Sequence, residues 1–512
     1  MNHRLVIGIS RIDPGWRLLL EQIGVSFESI RSPESLDPAR QSVMIVNAPP
    51  GAEEVEAIEN YLRGGGALLD TGFFLIRVDP SSIHRRYRGH VLPAEGDQIL
   101  GDTGPITLDA ILPLHRMANH LQGLVHLTEW KGGGVAHVPV DIGPRIVSTD
   151  ATRRAFHATS PRHPNEIVSR ADKGALRRLV SASLRWLHHR RQLPYLHTPS
   201  LPIEHQGVIG FRVDSDDGTR KQVVDMRRAL QQAGTATTWF LHVEAHADWL
   251  ELFTRFDGDE IALHCMRHRT FRTHEENRAN LAAGLSALRR VGIEPRGIAA
   301  PNGFWNPELA RAVEDLGFDY SSEFSLGFDD LPFHPWLHTR FSTLLQVPIH
   351  PICLGSFIRA KGTDDDIRRY FSNVVDRGAA RQEPVFLYGH PGHERFDLIA
   401  DEVEHACSRG LAPMTMGAYA AWWKRRVGVR FEGRLDGEDL SIIWKQGDEK
   451  VGLITERDGD HAILPGGSMR HDLGKVEWRG ALCAPPRQLP GKRPGVSGWR
   501  QSLEDFNTRM GQ

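Results

Sequence analysis

Five short apolar runs, each ending in a polar residue or a proline, constrain the fold of the middle of the chain. The runs are GVIGFRVD, ATTWFLH, EIALH, GIAAP and PVFLYGH, and they lie between residues 207 and 390. Amphipathic segments separate most of them, at 219–233, 273–291, 306–316 and 364–380. Short apolar strands that alternate with helices are typical of a parallel sheet covered on both faces. The pattern predicts α/β architecture with a closed or partly closed (β/α) barrel over residues 207–427.

The flanking sequences predict two further domains. The strand candidates RLVIGI, VMIVN and ALLD alternate with helix candidates, which is typical of a Rossmann-like domain, here over residues 1–195. Residues 193–206 contain three prolines and little periodicity, which indicates a linker. After residue 427, short strands separated by glycine and aspartate turns predict a small β-sandwich over residues 428–512. A chain of 512 residues has room for two to three such domains.

Composition excludes several kinds of partner. The 62 basic and 64 acidic residues give a formal net charge of −2, so no global field recruits nucleic acid or an anionic membrane. No stretch approaches the roughly 20 apolar residues of a spanning helix, and the amino terminus lacks a signal-peptide pattern. The four cysteines form no CxxC pair, which favours a reducing compartment. We therefore expect a cytoplasmic protein, whose N- and C-terminal domains are candidates for self-association or for binding a biosynthetic partner.

Two polar clusters follow the first and third apolar runs. Asp214-Ser215-Asp216-Asp217-Gly218 ends the first run, where barrels of this kind place catalytic groups. The sequence His264-Cys265-Met266-Arg267-His268 follows EIAL directly, and histidines spaced i, i+4 on a helix project to one side. Two histidines and one carboxylate are a usual ligand set of a hydrolytic zinc site. With 26 histidines in the chain, the pair alone is weak evidence, and the acidic turn strengthens it.

These motifs resemble those of the polysaccharide deacetylase (NodB homology, carbohydrate esterase 4-like) family over residues 207–425. The family has an Asp-Asp-Gly turn, a His-Ser/Thr-x-x-His motif and a strand that ends in histidine, as FLYGH does here. The resemblance implies a distorted (β/α) barrel that binds a divalent metal, Zn²⁺ first, with Co²⁺, Ni²⁺ or Mn²⁺ as alternatives. It implies that Asp217, His264 and His268 bind the metal, that Asp216 is the general base and that His390 is the general acid.

The chain departs from the family pattern at the position that should orient the base. Where the family has Arg-x-Pro, this sequence has Ala299-Ala300-Pro301, so the arginine that pairs with the aspartate is absent. Three other cations could reach the same space: Arg212, Arg267 and Arg296. Asp214 also competes with Asp216 for the role of base, although a salt-bridged strand carboxylate is the favoured alternative for it.

Other polar and aromatic residues near these motifs are candidates for substrate binding. Aromatic faces suit pyranose stacking, and carboxylates suit contacts with sugar hydroxyl groups. For Trp305, ordinary core packing is an equal alternative to substrate binding. His393 is the second candidate for the general acid, after His390. The substrate-binding candidates are Asp214, Pro301, Asn302, Trp305, Asp330 and His393.

The amino-terminal domain carries a second resemblance. IENYLRGGGALLD and GGGVAHVPVDIG resemble segments of the class I glutamine-amidotransferase-like fold, in which a helix leads through glycines to a strand. The first cysteine of the chain is Cys265, so this domain lacks the thiol nucleophile of that family. We predict an accessory domain without that chemistry.

The motifs together favour a metal-dependent hydrolase of C–N bonds. We expect it to remove an N-acetyl or formyl group from an amino sugar in a polysaccharide, glycolipid or nucleotide-sugar precursor. A catalytically impaired carbohydrate-binding or scaffold protein of envelope or exopolysaccharide biosynthesis is the main alternative, because of Ala299. A different amidase or esterase on the same fold is a third, since a fold does not fix its substrate.

Overall fold

The protein folds into two compact units, each assembled from separate stretches of sequence. The computed structural model describes residues 2–480, 485–486 and 488–489. Unit 1 comprises the described residues of Met1–Val147, Ala171–Ile203 and Lys424–Arg487. Unit 2 comprises Ser148–Arg170, Glu204–Trp423 and the described residues of Gln488–Gln512. The units do not follow the predicted boundaries at 195, 207 and 427, and independent folding of the three predicted domains stays a prediction.

Unit 1 contains an open α/β sheet at its amino-terminal end. Up to residue 197 the strands of the chain are β1 (Asn2–Arg4), β2 (Ile7–Ile9), β3 (Phe27–Ser29), β4 (Val43–Val46), β5 (Ala67–Asp70), β6 (Ile83–Val91), β7 (Ile106–His115), β8 (His126–Trp130), β9 (Gly133–His137), β10 (Ala151–Ala155), β11 (Asn165–Ser169) and β12 (Tyr195–His197), of which β10 and β11 belong to unit 2. The helices of this stretch are α1 (Pro14–Ile23), α2 (Ala52–Arg63), α3 (Phe74–Val78), α4 (Ile142–Val147) and α5 (Lys173–Arg190). The sheet has the order β3-β2-β4-β5-β9-β8, and only β8 runs antiparallel to its neighbour. Five of the six strands run parallel, while the Rossmann-like domain and the resemblance to amidotransferases stay predictions.

Unit 2 is built around one parallel sheet. Its strands from residue 208 are β13 (Val208–Asp214), β14 (Thr237–His242), β15 (Glu260–Cys265), β16 (Gly297–Ile298), β17 (Tyr320–Ser321), β18 (Leu345–Gln346), β19 (Val385–Gly389) and β20 (Ala412–Pro413). The helices are α6 (Arg220–Gln232), α7 (His274–Arg290), α8 (Pro307–Asp315), α9 (Leu354–Ala360), α10 (Asp364–Arg381), α11 (Phe396–Ser408) and α12 (Met416–Val427), whose last turn belongs to unit 1.

The order of this sheet is that of an opened barrel. It runs β18-β17-β16-β15-β14-β13-β19, with β20 also paired to β13, and every pairing is parallel. All seven residues of β13 are buried, because the sheet is covered on both faces. Strand β13 lies between β14 and β19, so the carboxyl ends of these strands share one edge of the sheet. The parallel half-barrel agrees with the predicted (β/α) repeats of this region.

The carboxyl-terminal strands belong to unit 1 and pair with strands from much earlier in the sequence. They are β21 (Arg430–Asp436), β22 (Asp439–Gln446), β23 (Leu453–Arg457), β24 (Asp460–Leu464) and β25 (Met469–Asp472). Two antiparallel sheets form, in the orders β1-β21-β22-β25 and β12-β23-β24. One apolar cluster contains residues of both sheets, among them Leu196, Phe431 and Leu453. The predicted β-rich region is therefore present. Among the described residues, however, its two sheets also contain β1 and β12, so residues 428–512 do not form them alone.

A partly buried ion pair connects β23 with helix α5 in unit 1. Arg185 Nε lies 2.6 Å from Glu456 Oε2, and His197 Nε2 lies 2.9 Å from Glu456 Oε1. Burial opposes ionisation of Glu456, but the charge of Arg185 and the contact with His197 lower its pKa to about 2. A carboxyl whose pKa falls on folding contributes stability that is present above its unfolded pKa and is lost as the pH falls toward the folded value.

We expect Glu456→Gln to lower the free energy of unfolding of unit 1 by about 3 kcal/mol at pH 7, because the pKa difference between the folded and unfolded carboxyl is lost. The gap between wild type and variant should shrink as the pH falls from about 5 to 2, measured by thermal unfolding at several pH values. Asp458→Asn is the matched control in the same hairpin, because the Asp458 side chain is 84% exposed. A gap that is independent of pH would contradict this account.

No helix in the part of the chain that the structure describes has the length and apolar character needed to span a bilayer.

Candidate functional site

Three strand ends bring the predicted polar clusters together. Strand β13 ends at Asp214, β15 contains His264 and β19 is followed directly by His390. Because β14 and β15 follow β13 on one side and β19 pairs with it on the other, these ends meet at one edge of the sheet. Catalytic groups of parallel α/β barrels lie at this edge.

The acidic turn after β13 adopts a conformation that is rare for residues with a side chain. Asp216 has φ 39°, in the left-handed region, where a side chain crowds the backbone. Ser215 Oγ supports the turn, because it accepts a hydrogen bond from His242 N at 2.9 Å and lies 2.8 Å from His246 Nε2. A Cβ atom at Gly218 would lie 2.9 Å from the Ser215 carbonyl oxygen and from Pro391 Cβ, so glycine is required there. The strained turn fixes the direction of the Asp216 carboxylate.

Asp216, His264 and His268 form a group with the geometry of a metal site. One potential ligand atom from each lies within 4.8 Å of the others. Asp216 Oδ1 is 3.4 Å from His264 Nε2 and 3.3 Å from His268 Nε2. Oδ1 is buried although the side chain as a whole is partly exposed, and it makes no well-directed hydrogen bond to the residues that the structure describes. Three donors that converge in this way fit a divalent cation.

A contact outside the group orients His264. Its Nδ1–H donates a hydrogen bond to the Ala299 carbonyl oxygen at 2.6 Å, which leaves the Nε2 lone pair directed at Asp216. Such a bond to the second ring nitrogen is typical of histidines that bind metals. Burial opposes ionisation of Asp216, but the contacts with His264 and His268 and the charge of His390 hold its pKa below the ordinary range. The carboxylate is therefore in the charged form that a metal requires.

The structure places Asp217 apart from this group. Its side chain is 89% exposed, and its Oδ1 lies 3.3 Å from His242 Nδ1. The family resemblance implied that Asp217 is a metal ligand and Asp216 the base. Because the left-handed backbone at Asp216 turns that carboxylate toward His264 and His268, the geometry favours Asp216 as the ligand.

Asp214 is held by a buried arginine. Arg212 Nε donates to Asp214 Oδ1 and Arg212 Nη2 donates to Oδ2, both at 2.6 Å. Arg212 Nη1 also donates to the Ser322 carbonyl oxygen at 2.6 Å, and the side chain is completely buried. Burial opposes ionisation of Asp214, but Arg212 keeps its pKa below the ordinary range. Of the three arginines that could replace the family's cation, Arg212 is the one that pairs with an aspartate of this site, while Arg296 pairs with Asp319.

His390 lies between this site and a second cluster. Its Nε2 is 3.6 Å from Asp216 Oδ2, which agrees with the predicted position across the site from the triad. Cys353 and His393 lie on its other side, and ligand-type atoms of the three residues are within 4.8 Å of one another. Burial opposes protonation, but contact with the Cys353 thiol and the charge of Asp216 raise the pKa of His390 to about 9. Sequence reasoning missed Cys353, because no motif connects it to either histidine.

The remaining substrate-binding candidates lie in loops of unit 2. Pro301 and Asn302 form a single 3-10 turn after β16, with Asn302 exposed at φ 56°. The indole Nε1 of Trp305 is buried and makes no hydrogen bond to the residues that the structure describes, so its N–H is available as a donor. Asp330 is buried and lines a cavity together with His350. Substrate binding by these residues stays a prediction.

Glu323 is a buried carboxyl near the site that sequence reasoning did not find. Its Oε1 accepts a hydrogen bond from Ala300 N at 3.1 Å, next to the carbonyl that orients His264. Burial raises the pKa of Glu323 to about 7. Glu323 therefore supports the Ala299-Ala300-Pro301 segment, and only the three-dimensional fold reveals it.

Comparisons with known proteins give partial structural similarity. No protein-family model matches the sequence, and no curated protein matches it. Similar solved structures include a polysaccharide deacetylase from Mycobacterium smegmatis, with 16% identity over 43% of this chain and 96% of that chain and a TM-score of 0.33. They include a polysaccharide deacetylase from Pseudomonas aeruginosa PAO1, with 16% identity over 44% of this chain and 94% of that chain and a TM-score of 0.38. A carbohydrate esterase 4 family pseudoenzyme from Bacillus anthracis has 12% identity over 43% of this chain and 66% of that chain, with a TM-score of 0.32. Similarity at this level does not indicate which activity the chain has.

Proposed function

We propose that the protein is a metal-dependent hydrolase that removes an N-acetyl or formyl group from an amino sugar. The observation that supports this most is the convergence of Asp216, His264 and His268 at the carboxyl edge of the half-barrel, with the Arg212–Asp214 pair beside it. This set provides two imidazoles and one carboxylate for a metal, together with a separate carboxylate and a separate imidazole for proton transfer. The amino sugar as substrate comes from the sequence resemblance, and Zn²⁺ is the first expected metal.

The proposed roles follow the geometry and therefore differ from those implied by the resemblance. Asp216 takes the place of Asp217 as the carboxylate ligand, because it lies beside both histidines and Asp217 does not. Asp214 takes the place of Asp216 as the general base, since it is the remaining buried carboxylate at this strand end. Arg212 keeps Asp214 ionised and oriented.

Hydrolysis of an amide needs activation of water and protonation of the leaving amine. Asp216, His264 and His268 would hold a divalent cation, which would polarise the carbonyl group and lower the pKa of water in the site. Asp214 accepts the proton of the attacking water, and its hydrogen bonds with Arg212 hold the accepting oxygen in place. His390, whose Nε2 faces Asp216, donates the proton that the departing amine requires.

A catalytically impaired carbohydrate-binding protein is the second candidate, and one observation favours it. Both oxygens of Asp214 already accept hydrogen bonds from Arg212, so the proposed base has to share its lone pairs with that cation. A lowered pKa also weakens Asp214 as a proton acceptor. In this case the site binds a metal and a glycan without turnover.

Release of acetate or formate by the purified, metal-loaded protein tests the proposal. We expect turnover on an N-acylated amino sugar, and we expect Asp214→Asn to lower kcat by about 100-fold to 10,000-fold while metal content is unchanged. Asp217→Asn is the matched control in the same turn, and its kcat should stay within a few-fold of wild type. A metal-loaded protein that binds glycans, but hydrolyses nothing in a broad panel of amides and esters, would support the second candidate instead.

A further inference from the structure

Cys353, His390 and His393 form a cluster of metal-ligating side chains that the proposed hydrolysis does not require as a group. Cys353 precedes α9, His390 precedes the turn Pro391–His393 that follows β19, and His393 is the last residue of that turn. Their ligand-type atoms lie within 4.8 Å of one another. Cys353 is 2% exposed, so its sulfur sits in the interior of unit 2 and not at a reactive surface.

Two ring nitrogens of this cluster are buried without a hydrogen-bond partner among the described residues. They are the Nδ1 atoms of His390 and His393. His390 Nε2 is the ring nitrogen near Asp216, so Nδ1 is the one that remains for the cluster. A buried polar atom without a partner costs roughly 1–3 kcal/mol, and two such atoms beside one thiol need an explanation.

The backbone brings His393 close to this cluster. A Cβ atom at Gly355 would lie 2.4 Å from His393 Cε1 and Nε2, so the imidazole ring rests directly on the first turn of α9. Glycine at this position allows the ring to lie next to Cys353. A larger residue would push His393 out of the group without removing any ligand atom.

We propose that Cys353, His390 and His393 bind a second divalent cation, of the zinc class. A thiolate and two imidazoles are a ligand set that selects Zn²⁺ over oxygen-preferring cations such as Mg²⁺ or Ca²⁺, with a fourth tetrahedral position left for water. Binding replaces the Cys353 S–H bond and the Nδ1–H bond of a protonated His390 by bonds to the metal, and both protons pass to solvent. The binding itself does not depend on the proposed hydrolysis.

Occupation of this site has a consequence for His390. A cation at Nδ1 leaves the ring proton on Nε2, the nitrogen that faces Asp216. The second site therefore fixes the tautomer and the ring orientation of His390 at the edge of the first site. In this arrangement Cys353 and His393 are positioning residues for His390.

Cobalt(II) titration of the full-length protein distinguishes the two sites. Thiolate-to-cobalt charge transfer gives a near-ultraviolet band that a site of one carboxylate and two histidines cannot give. We expect wild type to bind two equivalents of Co²⁺ and to show this band. Cys353→Ser should lose the band and one equivalent, whereas His264→Ala should lose one equivalent and keep the band.

Two further variants control for folding and for the identity of the cysteine. Cys407→Ser removes a partly exposed thiol in α11 and should leave both the band and the stoichiometry unchanged. Gly355→Ala should weaken the band by displacing His393 without changing the first site. A wild type that binds one equivalent with no charge-transfer band, or a band that survives in Cys353→Ser, would overturn the proposal. Failure of the proposed hydrolysis is a separate result: it is read from acetate release by the metal-loaded wild type, whereas the second site is read from the Cys353→Ser difference in cobalt binding.

Discussion

Asp216→Asn is expected to lower the metal affinity of the triad by at least about 100-fold, whereas Asp217→Asn should leave it unchanged. The reason is that Asp216 Oδ1 lies 3.3–3.4 Å from the Nε2 atoms of both histidines, while the Asp217 side chain points into solvent. Loss of a contact outside the ligand shell already costs 10-fold to 100-fold in affinity, and loss of a charged ligand costs more. Zinc retained after dialysis against a chelator measures the effect, with every variant made in the Cys353→Ser background so that zinc at the second proposed site does not contribute.

The two substitutions are matched in chemistry and neighbouring in sequence. Each removes one negative charge from the same turn, so a general electrostatic effect would weaken both variants equally. Loss of zinc in Asp217→Asn with retention in Asp216→Asn would restore the assignment implied by the family motif. His264→Ala provides the positive control, because Nε2 of His264 is a ligand in either assignment.

Arg212→Met is expected to destabilise unit 2 by about 3–5 kcal/mol. The substitution removes a completely buried guanidinium and leaves the Asp214 carboxylate without its two hydrogen bonds. Breaking one side of a buried ion pair costs this much because the remaining charge is uncompensated in the interior. Urea unfolding followed by circular dichroism measures the change. The comparison requires that the dependence of the free energy of unfolding on urea concentration is the same in both proteins.

The double variant Arg212→Met, Asp214→Leu separates charge from packing. Because both charges are then removed, the double variant should be more stable than Arg212→Met alone. Equal destabilisation of the single and double variants would mean that Arg212 acts through packing against the Phe240 and Tyr388 rings, which lie 5.2 Å and 5.7 Å from its guanidinium carbon. Arg212→Lys should recover only part of the loss, because an ammonium cannot bind both oxygens in the planar manner of a guanidinium.

The βα series of the middle region could be predicted from sequence because its periodicity is strong. The helices α6, α7 and α10 begin and end within a few residues of the predicted segments. The two-residue strands β17 and β18 could not be predicted, since their pairing depends on the neighbouring strands of the sheet and not on a local pattern. The same is true of β1, whose partner β21 lies at the far end of the sequence.

Sequence reasoning identified the residue types of the candidate site more reliably than their roles. The motif order identified the acidic turn and the histidine pair, but a one-residue choice between Asp216 and Asp217 depends on a backbone dihedral angle that no pattern encodes. The replacement of the missing cation by Arg212 depends on side chains two apart on β13 that turn toward each other. Cys353 lies close to His390 only because of tertiary packing. The two residues are far apart in the sequence, so no local pattern connects them.

The assembly of unit 1 from distant stretches has a consequence for synthesis of the protein. Strand β1 contains residues 2–4, and its ladder partner β21 begins at Arg430, so the first strand emerges from the ribosome long before the strand that covers it. At a translation rate of about 5–20 residues per second, that interval lasts on the order of 20 to 90 seconds. All of unit 2 except its carboxyl-terminal end is synthesised within this interval. During this time the exposed edge of the nascent amino-terminal segment is a site where a chaperone could bind, and where premature termination would leave an unpaired strand prone to aggregation.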